Sequence, residues 1–157
     1  MAAERDHDAE VERLEREVSL LLRRSRSVLR ALAGRVHPDI DAGSYAVLLA
    51  ISRAGPLRLV DLADEFGLDK STMSRQVTTL QSVGLVRRRP DPQDGRAFLL
   101  ELSEDGRRRL EEVMRSRHEV WRQRLAAWST QEIADLADGL TRLAATIPDP
   151  GREPPVA

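Results

Sequence analysis

Apolar residues near the start of the chain recur every three or four positions: Val11, Leu14, Val18, Leu21, Val28 and Leu32, with Ser25 in the one gap. That spacing lines one side of a helix turning every 3.6 residues and predicts a long helix over residues 8–36. Its other sides are dense in Glu and Arg, so the stripe is narrow. Such a helix packs either on its own domain or, the sharper reading, on a second subunit. Residues 1–7 carry no pattern and are expected to be a flexible end. "HPDIDAG" breaks the helix, and "SYAVLLAISRAG" then predicts a short buried helix ending at Gly55. "PLRLVDLADEFG" predicts another, with Pro56 before it and Gly67 at its exit. In "LDKSTMSRQVTTLQSVG" Asp69 is the expected N-cap, because its carboxylate can accept from the free amides of the first turn. Gly84 is the expected stop. Two short helices joined at a glycine are the sequence form of a helix-turn-helix.

The period then changes. "LVRRR" and "AFLLEL" read as short strands around the turn formers "PDPQDG". Ser103 is the expected cap of the next helix, with Glu104 and Asp105 in its first turn, where the dipole favours negative charge. That helix is predicted to run through Leu110, Met114, Trp121, Leu125 and Trp128. Ser129 and Glu132 form a capping box that starts a last helix, with Ile133, Leu136, Leu140, Leu143 and Ile147 on one side. The Pro-rich end, residues 148–157, is expected to be a disordered tail.

Composition narrows the function. Only five of 157 residues are aromatic, so the core is aliphatic and helices are favoured over a β-sandwich. The chain has no cysteine, which excludes disulfides, thiolate metal sites and cysteine redox sensing. His7, His37 and His118 lie in separate segments, so no metal site is expected, and no cofactor is called for. Without an apolar run of about 18 residues or a signal peptide, no membrane contact and a cytoplasmic location are expected. Net charge is −1, so any polyanion binding must come from a local patch. Of the 25 basic residues, all but Lys70 are Arg, a bias fitting a GC-rich genome. Placement, rather than number, must therefore carry the argument.

Placement is informative between Phe66 and Arg96. On a helix spanning residues 70–82, Met73, Val77 and Leu80 fall on one side. Ser71, Arg75, Thr78 and Ser82 fall on the other, with Thr72 and Thr79 beside them. Small hydroxyls allow close approach to a phosphate or base edge, and an Arg among them can pair bidentately with guanine. Lys70, Arg75, Arg87, Arg88, Arg89 and Arg96 stand against Asp69, Asp91 and Asp94, a local excess of +3. This is the layout of a winged helix: one helix for the major groove and a basic hairpin for the backbone and the adjacent minor groove. Because Arg87, Arg88 and Arg89 alternate along a strand, at least one must point away from DNA. Asp94 is expected to hold Arg96, or Arg75, through charge-assisted hydrogen bonds.

The contiguous stretch "LADEFGLDKSTMSRQVTTLQSVGLVRRRPDPQDGRAFLLELSEDG" resembles the core of the MarR (multiple antibiotic resistance regulator) family. The matching positions are Leu62-Ala63, Ser71-Thr72-Met73-Ser74-Arg75, Val77, Leu80, Gly84-Leu85-Val86, Asp91, Asp94, Arg96, Leu102-Ser103 and Gly106. The resemblance implies a mainly α fold with a small β-hairpin wing. A winged helix-turn-helix over residues 37–102 would be flanked by dimerisation helices over residues 8–36 and 103–147. It implies a bacterial transcriptional regulator, a homodimer bound to double-stranded DNA. Ser71, Thr72, Ser74 and Arg75 would face DNA, Arg96 would be the wing-tip arginine and Asp94 its salt-bridge partner. An inducer, where there is one, would be a small organic molecule held between the dimer helices and the lobe. His37, Tyr45 and Arg53 lie near that junction but are read as structural, so no ligand residue is assigned.

The leading function is thus a sequence-specific regulator, expected to be a repressor, reading an inverted repeat. The DNA-facing set is Lys70, Ser71, Thr72, Ser74, Arg75, Thr78, Thr79, Arg87, Arg88, Arg89, Asp94 and Arg96. The alternative is an architectural or weakly specific DNA-binding protein. A helical adaptor would more often carry an apolar or neutral wing. An enzyme is not expected, since no nucleophile–base pair, phosphate-binding loop or metal constellation is present.

Overall fold

The computed structural model describes residues 2–147, with side chains described from residue 6. In chain order the elements are α1 (Ala2–Val36), α2 (Ala42–Ala54), α3 (Leu59–Glu65), α4 (Lys70–Ser82), β1 (Val86–Pro90), β2 (Phe98–Leu102), α5 (Glu104–Arg124) and α6 (Thr130–Thr146). The fold is mainly helical, with one antiparallel hairpin. Helix α1 begins at Ala2, not near residue 8. Ala-Ala-Glu-Arg-Asp contains good helix formers and no breaker, so the backbone stays helical where no apolar stripe announces it. The tail expected over 148–157 lies outside the described residues.

The expected caps are in place, each for a local reason. Asp69 accepts from the amides of Ser71 and Thr72. Ser103 accepts from Gly106, and Ser129 with Glu132 closes a capping box. Helix α5 stops at Arg124, short of Trp128. The extended backbone that the Ser129 cap requires (ψ 158°) forces a turn before it, although the apolar spacing runs on.

One core joins every element but α6. Leu32, Ala33 and Val36 of α1 meet Tyr45, Val47, Leu48 and Ile51 of α2, Leu62 and Ala63 of α3, and Met73, Val77 and Leu80 of α4. Leu85, Val86, Leu100 and Leu102 from the hairpin and Leu110 and Val113 from α5 close it. Burial of each large aliphatic side chain contributes about 1.5–3 kcal/mol. Beyond this lobe the helices are bare: Val11, Leu14, Leu21 and Val28 of α1 are exposed, as are Trp121 of α5 and Leu136 and Leu140 of α6. Helix α6 buries none of its residues. No helix among the described residues is long and apolar enough to cross a membrane.

The hairpin register pairs Val86 with Leu102, Arg88 with Leu100 and Pro90 with Phe98. A single further bridge, absent from the sequence reading, links Leu57 to Leu100, each amide donating to the other's carbonyl at 3.0 and 2.8 Å. It anchors the hairpin to the segment before α3. The hairpin root also meets α5 at close range. Gly84 turns the chain with φ +75°, a conformation that costs glycine little. Ser103 donates its hydroxyl to the Gly84 carbonyl at 2.6 Å, and its amide to the Leu85 carbonyl at 3.0 Å. A Cβ on residue 106 would lie 2.1 Å from that Leu85 oxygen.

This geometry makes Gly106→Ala destabilising by about 1–3 kcal/mol, because only backbone can yield. The exposed helical Gly34 has nothing within 4 Å of its missing Cβ, so Gly34→Ala should stabilise by about 0.5–1 kcal/mol. Urea unfolding of both variants checks the pair; equal effects would show that the contact at residue 106 is not tight.

Candidate nucleic-acid interface

Helix α4 turns Met73, Val77 and Leu80 inward, each fully buried. Lys70, Ser71, Arg75 and Thr78 are exposed, and Thr72, Ser74 and Thr79 are partly covered. Four hydroxyls of this helix are not free rotors, however. Ser71 Oγ donates to Asp69 Oδ1, and Thr72 Oγ1 donates to Asp69 Oδ2 at 2.7 Å. Thr79 Oγ1 donates to the Arg75 carbonyl at 3.1 Å and Ser82 Oγ to the Thr79 carbonyl at 2.8 Å. Arg75 Nη2 donates to Thr72 Oγ1 at 3.1 Å, so its guanidinium lies back along its own helix. Bonds from the Ser71 and Thr72 hydroxyls and amides hold the Asp69 carboxyl well below the usual carboxylate range. A depressed folded pKa means that this cap contributes fully above the unfolded value. It is lost only as pH falls through the folded one.

The wing arginines divide by face. Arg87 and Arg89 share one side with Glu101, and Nε of each approaches that carboxylate, at 2.8 and 3.4 Å. Arg88 lies on the other side, that of Val86 and Leu100, past the edge of the core, and is exposed. Among the described residues neither Arg88 nor Arg96 has an ion-pair partner, so the pairing expected between Asp94 and the Arg96 side chain is not formed. Asp94 Oδ1 instead accepts the Arg96 amide at 3.0 Å. Asp94 is two residues from Arg96, and a short carboxylate at that spacing closes on the backbone more readily than on a long guanidinium.

The ion pair that holds the wing is a different one. Arg58, just before α3, donates from Nε and Nη2 to Asp91 Oδ2 at 2.8 and 2.5 Å. Asp91 Oδ1 accepts the Gln93 amide at 2.8 Å, and the Asp91 residue is only 6% exposed. The Gln93 amide first, and then Arg58, keep its carboxyl below the ordinary range. The two wing aspartates thus organise a turn: Asp91 ties it to the body of the lobe, and Asp94 shapes its tip. Sequence reading missed Arg58 because 33 residues separate the partners and no spacing rule links them. Glu101 was legible in principle, since hairpin register sets it opposite Arg87.

A helix-turn-helix followed by a basic hairpin defines a winged helix of the DNA-binding class. The comparisons agree. The MarR family model matches residues 39–97. The HTH-type transcriptional regulator YxaD of Bacillus subtilis (strain 168) is 34% identical over 133 residues, 85% of this chain and 92% of that protein. The crystal structure of a probable transcriptional regulator from Pseudomonas aeruginosa is 32% identical with a TM-score of 0.60, covering 83% of this chain and 98% of the other. Wild-type MarR (apo form) from E. coli, 23% identical over 83% of this chain and 96% of its own, shares the fold with a TM-score of 0.65. The chain belongs to the MarR family. It is a transcriptional regulator, not an enzyme.

In Arg58→Ala the amides of residues 91–97 should exchange with deuterium about tenfold faster or more, while those of α2 and α4 stay within about twofold. Exchange mass spectrometry reads both, and unchanged wing protection would show that Arg58 does not hold the turn.

Proposed function

We propose that the chain is a sequence-specific repressor that binds an inverted-repeat operator as a homodimer and is released by a small organic ligand. The observation that carries DNA recognition is the surface of α4 and the wing. Lys70, Arg75, Arg88 and Arg96 are exposed on a lobe whose other side is a closed apolar core. Ser71, Thr72, Ser74, Thr78 and Thr79 would meet base edges and phosphates between them. Arg87 and Arg89 would contribute less than their charge suggests, because Glu101 already holds both.

Dimerisation is supported by the bare apolar stripes of α1, α5 and α6, above all α6 with no buried residue. A two-fold dimer sets its reading helices about one DNA turn apart, roughly 10 bp, and so asks for an inverted repeat. A protein covering two such turns blocks other proteins from that DNA, which favours repression. The effector part of the proposal rests on Tyr45. Among the described residues its buried hydroxyl has no partner, and burial pushes its phenol pKa up. It lies on α2, which packs against both α1 and α4.

The test is fluorescence anisotropy on DNA from upstream of the gene against scrambled DNA, over a salt series. Tight binding to the former should weaken about a thousandfold or more between 50 and 200 mM salt if about eight phosphates are neutralised. Arg96→Ala should lower affinity about tenfold or more. Glu101→Gln should raise it a few-fold and steepen the salt slope by about 1–2, by freeing Arg87 and Arg89. Equal affinity for both DNAs favours the architectural reading instead. A folded Arg96→Ala protein with unchanged affinity would sink the wing assignment.

Sedimentation should give the wild-type chain twice its 17.6 kDa mass. Leu140→Glu, on the bare stripe of α6, should shift it to the single-chain mass while the lobe stays folded. A monomeric wild-type protein rules out the homodimer.

A further inference from the structure

We infer that Asp69 fixes the direction of hydrogen bonding on the reading helix, so that Ser71 selects a base carrying an exocyclic amino group in the major groove, adenine or cytosine. The inference rests on the proposed DNA-binding role of α4.

An ionised carboxylate only accepts, and offers about four lone-pair positions. Asp69 has four donors: the amides of Ser71 and Thr72, each at 2.9 Å, and the hydroxyls of the same two residues. Three of the four fall on Oδ1 and one on Oδ2, so the carboxylate spends most of its accepting capacity on its own helix. Its low pKa keeps it ionised at any working pH. Ser71 and Thr72 have therefore each committed their only hydroxyl proton inward, and their oxygens can offer only lone pairs outward. Thr72 already spends one of its two lone pairs on Arg75 Nη2 at 3.1 Å and is partly covered. Ser71 is exposed and accepts from no protein group among the described residues. It remains as the outward acceptor of the first turn.

An acceptor beside a negative carboxylate is poorly matched to phosphate, which carries no donor and is repelled. It is equally poorly matched to guanine O6 and N7 and to thymine O4. The complementary groups in the major groove are adenine N6–H₂ and cytosine N4–H₂. The same bonds leave this helix start poorly suited to cradling phosphate, because two of the amides that usually do so, those of Ser71 and Thr72, are filled by Asp69. The turn is thereby directed to base edges, and Thr72 presents Arg75 alongside as the donor of the pair.

The experiment first enriches binding sites from a random duplex pool with the wild-type protein. Each adenine of the enriched site is then replaced by purine deoxynucleoside, and each cytosine by 2-pyrimidinone deoxynucleoside; both lack the amino group. Affinities are measured by anisotropy for wild type, Ser71→Ala and Ser71→Thr. At one position per half-site, loss of the amino group should weaken wild type about five- to tenfold. Ser71→Ala should bind the two DNAs within about twofold, and Ser71→Thr should restore the dependence. Asp69→Asn keeps a capping oxygen but holds the hydroxyl less firmly, and should narrow the discrimination. The inference fails if no amino group matters to wild type, or if Ser71→Ala keeps the full dependence. Those results leave sequence-specific binding standing. Enrichment of no sequence would overturn that binding and the inference together.

Discussion

The carbonyl oxygen of Leu85 occupies the space where a side chain on residue 106 would begin, and the rest of the molecule is arranged around that contact. The same oxygen accepts the Ser103 amide, while the Ser103 hydroxyl reaches back to Gly84 and caps α5. Three local requirements, a turn, a cap and a missing Cβ, converge on one point. Together they fix the angle at which α5 leaves the hairpin, and with it the relation of the wing to the helical arm. A larger residue at 106 would push apart backbone on both sides, since neither partner is a side chain that can rotate.

Charge in the lobe follows a second constraint. A chain of net charge −1 must present cations locally without scattering them, and its acidic residues do that work from behind. Asp91 ties Arg58 to the wing, Asp69 orders the first turn of α4, Asp94 shapes the tip and Glu101 restrains two of three consecutive arginines. Each pairing lowers the entropy to be lost on binding and also reduces the free positive charge. Restraint of Arg87 and Arg89 therefore trades non-specific attraction for orientation. Among the described residues Arg88 and Arg96 keep their charge unpaired.

Features governed by neighbours a few residues apart were legible in the sequence. The Asp69, Ser103 and Ser129 caps are local, and so is the buried side of α4, since a helix fixes which residues share a face. The hairpin was legible because its turn formers are dense. Features set by distant parts of the chain were not. Arg58 and Asp91 meet only once the fold exists, and the Leu57 bridge is one residue long, too short to carry a period. The Asp94–Arg96 pairing misled for a related reason: proximity in sequence let the carboxylate reach the backbone first. The length of α5 misled because apolar spacing continues through Leu125 and Trp128 although the backbone does not.

Helix α5 belongs to two structures at once. Its first half supplies Gly106, Leu110 and Val113 to the lobe core; its second half carries Val120 and Trp121 bare. Arg109 Nη1 reaches the Val36 carbonyl at 3.4 Å, and Arg35 Nη2 reaches Ser116 Oγ at 2.8 Å, fastening α1 to α5 where lobe passes into arm. In the proposed dimer, the arms set the spacing of the two reading helices, and the lobes follow as rigid bodies because their cores are closed. An effector that changes operator affinity must then bind two arm arrangements differently. The elements able to change are the bare ones, α6 and the outer parts of α1 and α5, for they bury the least within one chain. A site that senses an effector would do most where it touches both the arm and the lobe, and α2 is a helix that packs against both α1 and α4.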